Sequence, residues 1–246
     1  MFWEKSLLYT LFLSLGCLLA QAQAQPLSMF TAAQSGPPEL VRRLVTDNFA
    51  VNPRNADGET PLMLAARDNP DPEVVRTLLQ LGADAQARNL HGQQALHYAL
   101  IGVQPVEHSR LLLEHSSLDM VEASLPTLLL ETSSESQGQL LSLWQQAGAD
   151  LNSRDAEGRT PLVQAVIAQH LEPVRSLVVL GVDLDAQDHQ GKTAYIHAAQ
   201  GDNATLLRYL RDVGVRTDIS DASGKTARDY LLENASLNTL LLREEF

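Results

Sequence analysis

Two Gly-Lys-Thr triplets, Gly191–Thr193 and Gly224–Thr226, are the first residues in this sequence whose types could do chemistry. In a phosphate-binding loop such a triplet follows another glycine, five residues before the Gly-Lys pair, so that backbone amides can wrap around the phosphates. Ala186 and Ile219 occupy those places instead. The two triplets also recur at a fixed interval, so they predict a repeated turn and not a nucleotide site.

Seven histidines and one cysteine are the residues that could hold a transition metal. No two of the histidines stand four residues apart, the spacing that places both on one helix face in zinc proteases, and one thiol cannot complete a structural zinc site. The histidines are His91, His97, His108, His115, His170, His189 and His197. His91 and His189 hold equivalent places at predicted turn tips, where we expect them to be exposed. The sequence predicts no metal site.

Serines and aspartates that could act in catalysis have simpler explanations. The serines cluster in polar turns, with no ordered base implied beside them. Asp84, Asp150 and Asp183 recur at equivalent places of an internal repeat, so stacked repeats should hold neighbouring copies about 10 Å apart. Each is expected to stabilise its own turn. We therefore predict that the protein is not an enzyme and has no cofactor.

An internal repeat of about 33 residues organises the sequence. The segment Gly58–Ala66, GETPLMLAA, returns as Gly158–Val166, GRTPLVQAV. Weaker copies begin at Gly92, Gly191 and Gly224. Successive copies lie 34, 66, 33 and 33 residues apart (92−58, 158−92, 191−158 and 224−191), and since 66 is twice 33 a degenerate copy should begin near Leu125. This period predicts a solenoid of stacked repeats.

Each copy predicts a turn, a helix, a short connection and a second helix. Asn or Asp opens the turn, as at Asn55, and the glycine three residues later accepts a positive φ. Thr60 and Pro61 then predict an N-cap and the first helical position. Val74–Leu79 carries the apolar stripe of the second helix, and Gly82 predicts its end.

These residues resemble the ankyrin-repeat family, whose consensus runs G-x-T-P-L-H-x-A-A and then V-V-x-x-L-L-x-x-G-A-D. The resemblance covers the chain from about residue 25 to the C-terminus. It implies an all-α repeat solenoid, in which paired antiparallel helices are joined by β-turn or hairpin loops, and a scaffold that binds other proteins. His97 alone stands at the consensus histidine, for which the resemblance implies a structural bond to the neighbouring turn.

The register divides the chain into a leader, repeats and caps. The predicted segments are a signal peptide at 1–24, an N-terminal capping repeat at 25–57, repeats at 58–91, 92–124, 158–190 and 191–223, a degenerate repeat at 125–157, and a C-terminal cap at 224–246. In the C-terminal cap we expect one helix to run from Gly224 to about Leu232. A final partial cap is expected at 237–242.

The degenerate repeat departs from the pattern in its first helix and in the connection after it. Glu131–Ser133 stands where Leu-Ala-Ala is expected, and Ser134–Gly138 predicts a longer polar turn between the helices. Trp144 replaces the first leucine of the second-helix stripe. Neutral drift and a specialised binding surface with a local kink are both compatible with this pattern.

An apolar run near the N-terminus predicts export. Lys5 precedes the run Leu7–Ala20, and small residues follow at candidate cleavage sites near Ala22 or Ala24. The run is shorter than the roughly 20 residues of a membrane span. We therefore expect a periplasmic or secreted protein without a membrane span. Lipid attachment through Cys17 is less favoured, because the apolar run continues beyond it.

The charge of the chain bears on its partners. The net charge is −12 at pH 7 and the basic residues are scattered, so phosphate backbones should be repelled and we predict no nucleic-acid partner. We expect a monomer that binds a protein partner from the periplasm. The alternative is a secreted effector or inhibitor that acts on a host or competitor enzyme.

The ankyrin resemblance implies a binding surface made of turn tips and first-helix faces along a concave groove. The residues at those positions mix both charges with aliphatic side chains, which suits a protein partner better than a polyanion. Carried over by register, the candidate site residues are Asp57, Glu59, Arg67, Asp68, Leu90, His91, Gln93, Ile101, Glu157, Arg159, Ile167, His189, Gln190, Lys192, Gln200 and Lys225.

Overall fold

Paired helices joined by short turns follow one another along the chain in this computed structural model. The structure describes residues 28–117, 119, 121–122, 125, 128–129 and 134–234. Regular structure in these residues is helical, which confirms the predicted all-α fold. The helices are α1 (Met29–Ser35), α2 (Pro38–Thr46), α3 (Pro61–Asp68), α4 (Pro72–Gln80), α5 (Ala95–Leu100), α6 (Pro105–Leu113), α7 (Ser134–Gln146), α8 (Pro161–Ile167), α9 (Leu171–Val179), α10 (Ala194–Gln200), α11 (Ala204–Asp212) and α12 (Ala227–Glu233).

The first helix of each pair begins where the sequence predicts a cap. The hydroxyls of Thr60, Thr160 and Thr193 each accept the backbone N–H three residues later, at 3.3–3.4 Å. Pro61 and Pro161 occupy the first helical position, where a missing N–H leaves no hydrogen bond unmade. Local sequence therefore determines where these helices start.

The first helices of successive pairs stack on one another and form an inner row, and the second helices stack in the same way and form an outer row. In the inner row α1 packs on α3, α3 on α5, α8 on α10 and α10 on α12. In the outer row α2 packs on α4, α4 on α6, α6 on α7 and α7 on α9. Ala65, Ala66, Ala198 and Ala199 are buried in the inner row, and their small side chains allow close approach of the helices. One apolar core therefore runs along the array.

At the start of the degenerate repeat, the described residues are helical where the repeat register places a turn. Residues 121–122 and 125 are helical. Glu122 and Leu125 replace the Asn or Asp and the Gly of the other turns, so both the side-chain acceptor and the residue that favours positive φ are missing. The expected polar turn at Ser134–Gly138 is also wrong, because these residues begin α7. Gly138 leaves room there for the Ser176 hydroxyl, which lies 3.2 Å from where a Cβ would stand.

Trp144 holds the outer row of the degenerate repeat in place. Its side chain is fully buried, and the indole N–H donates to the Val121 carbonyl at 2.9 Å. A buried tryptophan needs such an acceptor, and it brings a large apolar area into the core. The replacement of leucine by tryptophan is therefore accommodated by the helical backbone at Val121.

The helices at the two ends of the described residues can be compared with the predicted caps. At the N-terminal end α1 and α2 form a helix pair, and at the C-terminal end α12 runs to Glu233, close to the expected end at Leu232. The predicted signal peptide at 1–24 and the expected partial cap at 237–242 lie outside the described residues. Within the described residues, no helix is both long and apolar enough to cross a bilayer.

His108 is a titratable residue at a core position. It stands on α6 where α4, α9 and α11 carry Val75, Val174 and Leu207, and it is 0% exposed. Its Nδ1 lies 2.8 Å from the Ala66 carbonyl, whereas Nε2 has no hydrogen-bond partner in the described residues. Burial lowers the pKa of this imidazole below its ordinary value of 6.5. The folded chain therefore holds His108 neutral.

This burial predicts acid sensitivity of the fold. Because the pKa of His108 is lower in the folded chain than in the unfolded chain, protonation favours unfolding, and stability should fall as the pH drops below about 6.5. At about pH 5.5 the loss due to this residue can reach about 1.4 kcal/mol. Urea titrations at about pH 7.5 and pH 5.5 should show a smaller loss for His108→Leu than for the wild type. Equal losses in the two proteins would contradict this assignment.

Candidate protein-binding surface

In the part of the chain that the structure describes, five hairpin turns project from the array, and each is organised by its first side chain. The carboxylate of Asp188 accepts the amides of Gln190 at 2.8 Å and Lys192 at 2.9 Å, and the Asp188 amide donates to the Lys192 carbonyl. Gly191 completes the turn at φ 74°. The same pattern of bonds occurs in the hairpins that start at Asn55, Asn89, Asp155 and Asp221.

Backbone hydrogen bonds join successive hairpins into two ladders. In the C-terminal ladder (155–159, 188–192 and 221–225) the His189 amide donates to the Glu157 carbonyl at 3.0 Å, and the Ala222 amide donates to the Gln190 carbonyl at 2.9 Å. In the N-terminal ladder (55–59 and 89–93) the Leu90 amide donates to the Asp57 carbonyl at 3.0 Å. The helical residues 121–122 lie between the ladders in sequence, where a further hairpin would belong.

Three columns of side chains line one face beside the hairpins, and we call them together the groove face. The first column directly follows each hairpin glycine: Glu59, Gln93, Arg159, Lys192 and Lys225. The second stands five residues further on: Leu64, Tyr98, Gln164, His197 and Tyr230. The third lies at the ends of the inner helices: Arg67, Ile101, Ile167, Gln200 and Glu233. Contacts across repeats show that the columns share a face, since the Arg67 guanidinium lies 5.4 Å from the Tyr98 ring centre.

The N-terminal end of the groove face is satisfied within the chain. The Tyr98 hydroxyl donates to Glu59 at 2.7 Å, and Arg67 Nη1 lies 3.6 Å from the same carboxylate. Arg67 also donates to Asp68 at 2.9 Å, and Gln34 donates to Asp68 at 3.0 Å. The hydrogen bond from Arg67 lowers the pKa of Asp68. Burial, followed by the bond to Glu59, raises the pKa of Tyr98 to about 12. These charges already have partners.

The C-terminal end is paired in a similar way. Lys225 Nζ lies 2.7 Å from the Glu233 carboxylate, which raises the pKa of Lys225. The Tyr230 hydroxyl donates to Asp221 at 2.5 Å, and the Tyr230 ring lies 5.2 Å from the Lys225 ammonium. Hydrogen bonds from Ser223 and then Tyr230 hold the pKa of Asp221 well below its ordinary value.

The centre of the groove face is arranged differently. His197 Nε2 lies 2.7 Å from the Asp188 carboxylate, yet burial outweighs this contact and lowers the pKa of the imidazole. The nearby cations Lys192 and Arg159 lower it further. Neither cation has a carboxylate within ion-pair distance in the described part of the chain. Ile167 beside them is 45% exposed. The centre therefore presents two cations without carboxylate partners next to an exposed aliphatic side chain.

A cleft of about 600 Å³ lies beside the C-terminal end of the groove face. Its polar rim includes a hydrogen bond of 2.9 Å from the Gln169 amide to Asp202. The lining residues are Gln169, Gln200, Gly201, Asp202, Tyr230, Glu233 and Asn234.

A comparison with models of known protein families shows which family has this architecture. The family model described as ankyrin repeats (3 copies) matches residues 29–122 and 130–223. The chain belongs to the ankyrin-repeat family. Its hairpins, inner helices and outer helices are therefore the recurring parts of ankyrin repeats, and the resemblance drawn from the sequence motif is confirmed.

Solved ankyrin-repeat structures superpose along most of the chain. The ankyrin-repeat domain of Bcl-3, described as a unique member of the IkappaB protein family, has a TM-score of 0.72 at 26% identity, covering 90% of this chain and 99% of that one. The human ASB11 ankyrin-repeat domain has a TM-score of 0.67 at 21% identity, covering 89% and 97%, and supports the fold alone. Comparison with curated proteins by sequence gave no match.

The ankyrin fold distributes the candidate site residues between the hairpin tips and the groove face. Glu59, Arg67 and Asp68 are brought together, as are Lys192 and Lys225 around Tyr230. On the groove face lie Glu59, Gln93, Arg159, Lys192, Lys225, Arg67, Ile101, Ile167 and Gln200; at the tips lie Asp57, Leu90, His91, Glu157, His189 and Gln190; Asp68 ends α3. His91 and His189 are exposed, as the sequence predicts.

The second column of this ankyrin array was missed from the sequence. Tyr98, Gln164, His197 and Tyr230 each bond the side chain of the turn residue nine positions earlier. That constant spacing was a usable signal, but these four residue types differ and match no motif. His97 instead lies at the start of α5, where its Nδ1 accepts the Gln94 amide at 3.5 Å.

The described residues offer this ankyrin-repeat protein little metal chemistry. No group of three or more histidine, cysteine, aspartate or glutamate side chains among them could hold a metal ion. The carboxylates of Asp155, Asp188 and Asp221 are each occupied by two backbone amides and at least one side-chain donor. They serve the hairpins.

The ladders predict different costs for two glycine substitutions. A Cβ on Gly191 would lie 2.8 Å from the Ala222 amide nitrogen, whereas a Cβ on Gly224 would meet nothing within 4 Å. Both glycines have positive φ, so Gly224→Ala carries the backbone strain alone, about 1–2 kcal/mol. Gly191→Ala should lose at least about 1 kcal/mol more, because the hairpins must move apart. Denaturant unfolding of both variants measures this, and equal losses would contradict the close stacking.

Proposed function

We propose that this protein is a non-enzymatic scaffold that binds a protein partner through its groove face. Ankyrin repeats generally mediate protein–protein interaction, and ankyrin-repeat domains are typically non-enzymatic. The observation that carries the proposal is the exposure of Ile101 and Ile167 on the groove face, at 49% and 45%, together with the cations Arg159 and Lys192, which have no carboxylate partner in the described residues. Aliphatic side chains among polar neighbours on a fixed backbone are the usual composition of a protein-binding surface.

The fold supports binding without large rearrangement. Hydrogen bonds within and between hairpins fix the backbone under the first column. The loop after α5 is held in the same manner, since the Val103 amide donates to the Arg67 carbonyl at 3.0 Å. A surface whose backbone is fixed before binding loses less conformational freedom on association. The groove face is therefore suited to steady recognition of one partner.

We further propose that the protein acts in the periplasm after export. The support is the sequence alone: Lys5, the apolar run Leu7–Ala20 and the small residues near Ala22 and Ala24 form a signal-peptide pattern. Loss of the leader removes Glu4 and Lys5 together, so the exported chain would keep the acidic charge. Release into the medium would instead favour a secreted effector or inhibitor.

Cross-linking in the native envelope tests the binding role. A tagged wild-type chain should capture a partner, and Ile101→Asp or Ile167→Asp should abolish capture because a carboxylate would enter the apolar part of the contact. Val179→Asp is the matched control, since Val179 is 83% exposed on the outer helix α9 and away from the groove face. Capture that is unchanged in the groove variants, or lost equally in the control, would contradict a groove-bound partner. Fractionation of the same cells shows where the protein resides.

A further inference from the structure

The groove face differs between its ends and its centre in how charges are paired. At the N-terminal end the first and third columns carry Glu59 and Arg67, which lie 3.6 Å apart. At the C-terminal end they carry Lys225 and Glu233, which lie 2.7 Å apart. Each end is thus neutralised by an opposite charge in its own repeat. A cation paired in this way presents less net charge to a partner than a cation without a carboxylate neighbour does.

The centre of the groove face is formed by the two repeats next to the C-terminal end, and its first-column cations are not paired in this way. Arg159 and Lys192 occupy the first column there, while the third column carries Ile167 and Gln200. No carboxylate of the described residues lies within ion-pair distance of either cation. Arg159 and Lys192 thus place two cations on successive hairpins of the first column, in a chain whose net charge is −12.

The aspartates that begin these two hairpins do not act as ion-pair partners of the cations. Asp155 and Asp188 offset part of the local charge, but their oxygens are already occupied. Asp188 accepts two backbone amides through Oδ1 and contacts His197 through Oδ2, and Asp155 accepts two amides and the Gln164 side chain. The centre therefore carries two partly exposed cations without carboxylate partners, of which Lys192 lies 5.6 Å from the Tyr230 ring centre, beside the exposed Ile167.

We infer that the centre of the groove face takes an extended segment of the partner that carries carboxylate side chains and aliphatic side chains. The carboxylates pair with Arg159 and Lys192, and an aliphatic side chain packs on Ile167. This inference rests on the proposed function and names the chemistry of its partner. The opposite charges attract the segment, and the apolar contact beside them fixes its register along the groove face.

The stacking of the repeats also sets the spacing of the carboxylates. Packed helices lie about 8–10 Å apart, so cations on successive hairpins should be separated by about that distance. A polyproline II segment advances about 9.3 Å in three residues and brings every third side chain to the same face. The segment is therefore expected to carry Asp or Glu at positions three residues apart.

Synthetic peptides test this inference without knowledge of the partner. The probe is a fluorescein-labelled twelve-residue peptide made of four Glu-Leu-Pro units; the comparison peptides are four Lys-Leu-Pro units and a rearranged peptide with its four glutamates adjacent. Fluorescence anisotropy with the exported full chain should show that the Glu-Leu-Pro peptide binds at least about tenfold more tightly than the lysine peptide, and more weakly as salt rises. It should also bind severalfold more tightly than the rearranged peptide.

Protein variants locate the contact. The double variant Arg159→Gln, Lys192→Gln should weaken binding of the Glu-Leu-Pro peptide about tenfold, and Ile167→Ala should weaken it severalfold. Arg76→Gln is the control: Arg76 lies on the outer helix α4, away from the groove face, and pairs with Glu73, so this change should alter affinity by less than about twofold. Circular dichroism of each variant checks that the fold is retained.

Four results would overturn the inference. These are tighter binding of the lysine peptide, full affinity in the Arg159 and Lys192 double variant, equal loss in Arg76→Gln, and no binding of any peptide. Equal affinity for the rearranged peptide would overturn the three-residue spacing. These failures are distinguishable from failure of the proposed function, because capture that depends on Ile101 and Ile167 in the envelope would still show a groove-bound partner of other chemistry.

Discussion

The hydrogen bond from a hairpin's first side chain to its own backbone amides is the interaction on which the rest of the structure depends. At Asp188 one carboxylate oxygen fixes two amides, and Gly191 takes the left-handed conformation that closes the turn. The closed turn then offers a carbonyl to the amide of the next hairpin. The conformational preference of Asn, Asp and Gly within one hairpin therefore fixes the spacing between repeats. That spacing determines where the side chains of the groove face lie.

The repeat framework could be predicted from the sequence because each of its residues acts within a few positions of itself. Caps such as Thr60 and Thr160, the turn glycines and the alanine pairs all follow from residue type and register. The same reasoning placed the candidate site residues at turn tips and helix ends. It also explains why the repeat motif says little about function, because its residues form the turn, the helix cap and the core.

The pairing of side chains across repeats could not be predicted in the same way. Arg67 looks free in sequence, yet it contacts Tyr98 of the next repeat, and Lys192 contacts Tyr230. These partners are 31 and 38 residues away (98−67 and 230−192), so only the stacked structure reveals them. The helix that begins at Ser134 was missed because its polar residues suggested a turn, whereas contact with the core decides its structure. The absence of a carboxylate partner at Arg159 and Lys192, in contrast to Arg67 and Lys225, likewise became visible only in the stacked structure.

Hydrogen exchange at individual hairpin amides tests most directly the claim that bonded hairpins hold the groove face. The amides of Leu90, His189 and Ala222 donate to the preceding hairpin, whereas the equivalent amide of Ala156 has no such acceptor in the described residues. Native-state exchange followed by NMR should show strong protection of the first three and fast exchange at Ala156. Exchange of all four amides at the rate of Ala156 would contradict the ladders, and with them the fixed spacing of the groove face.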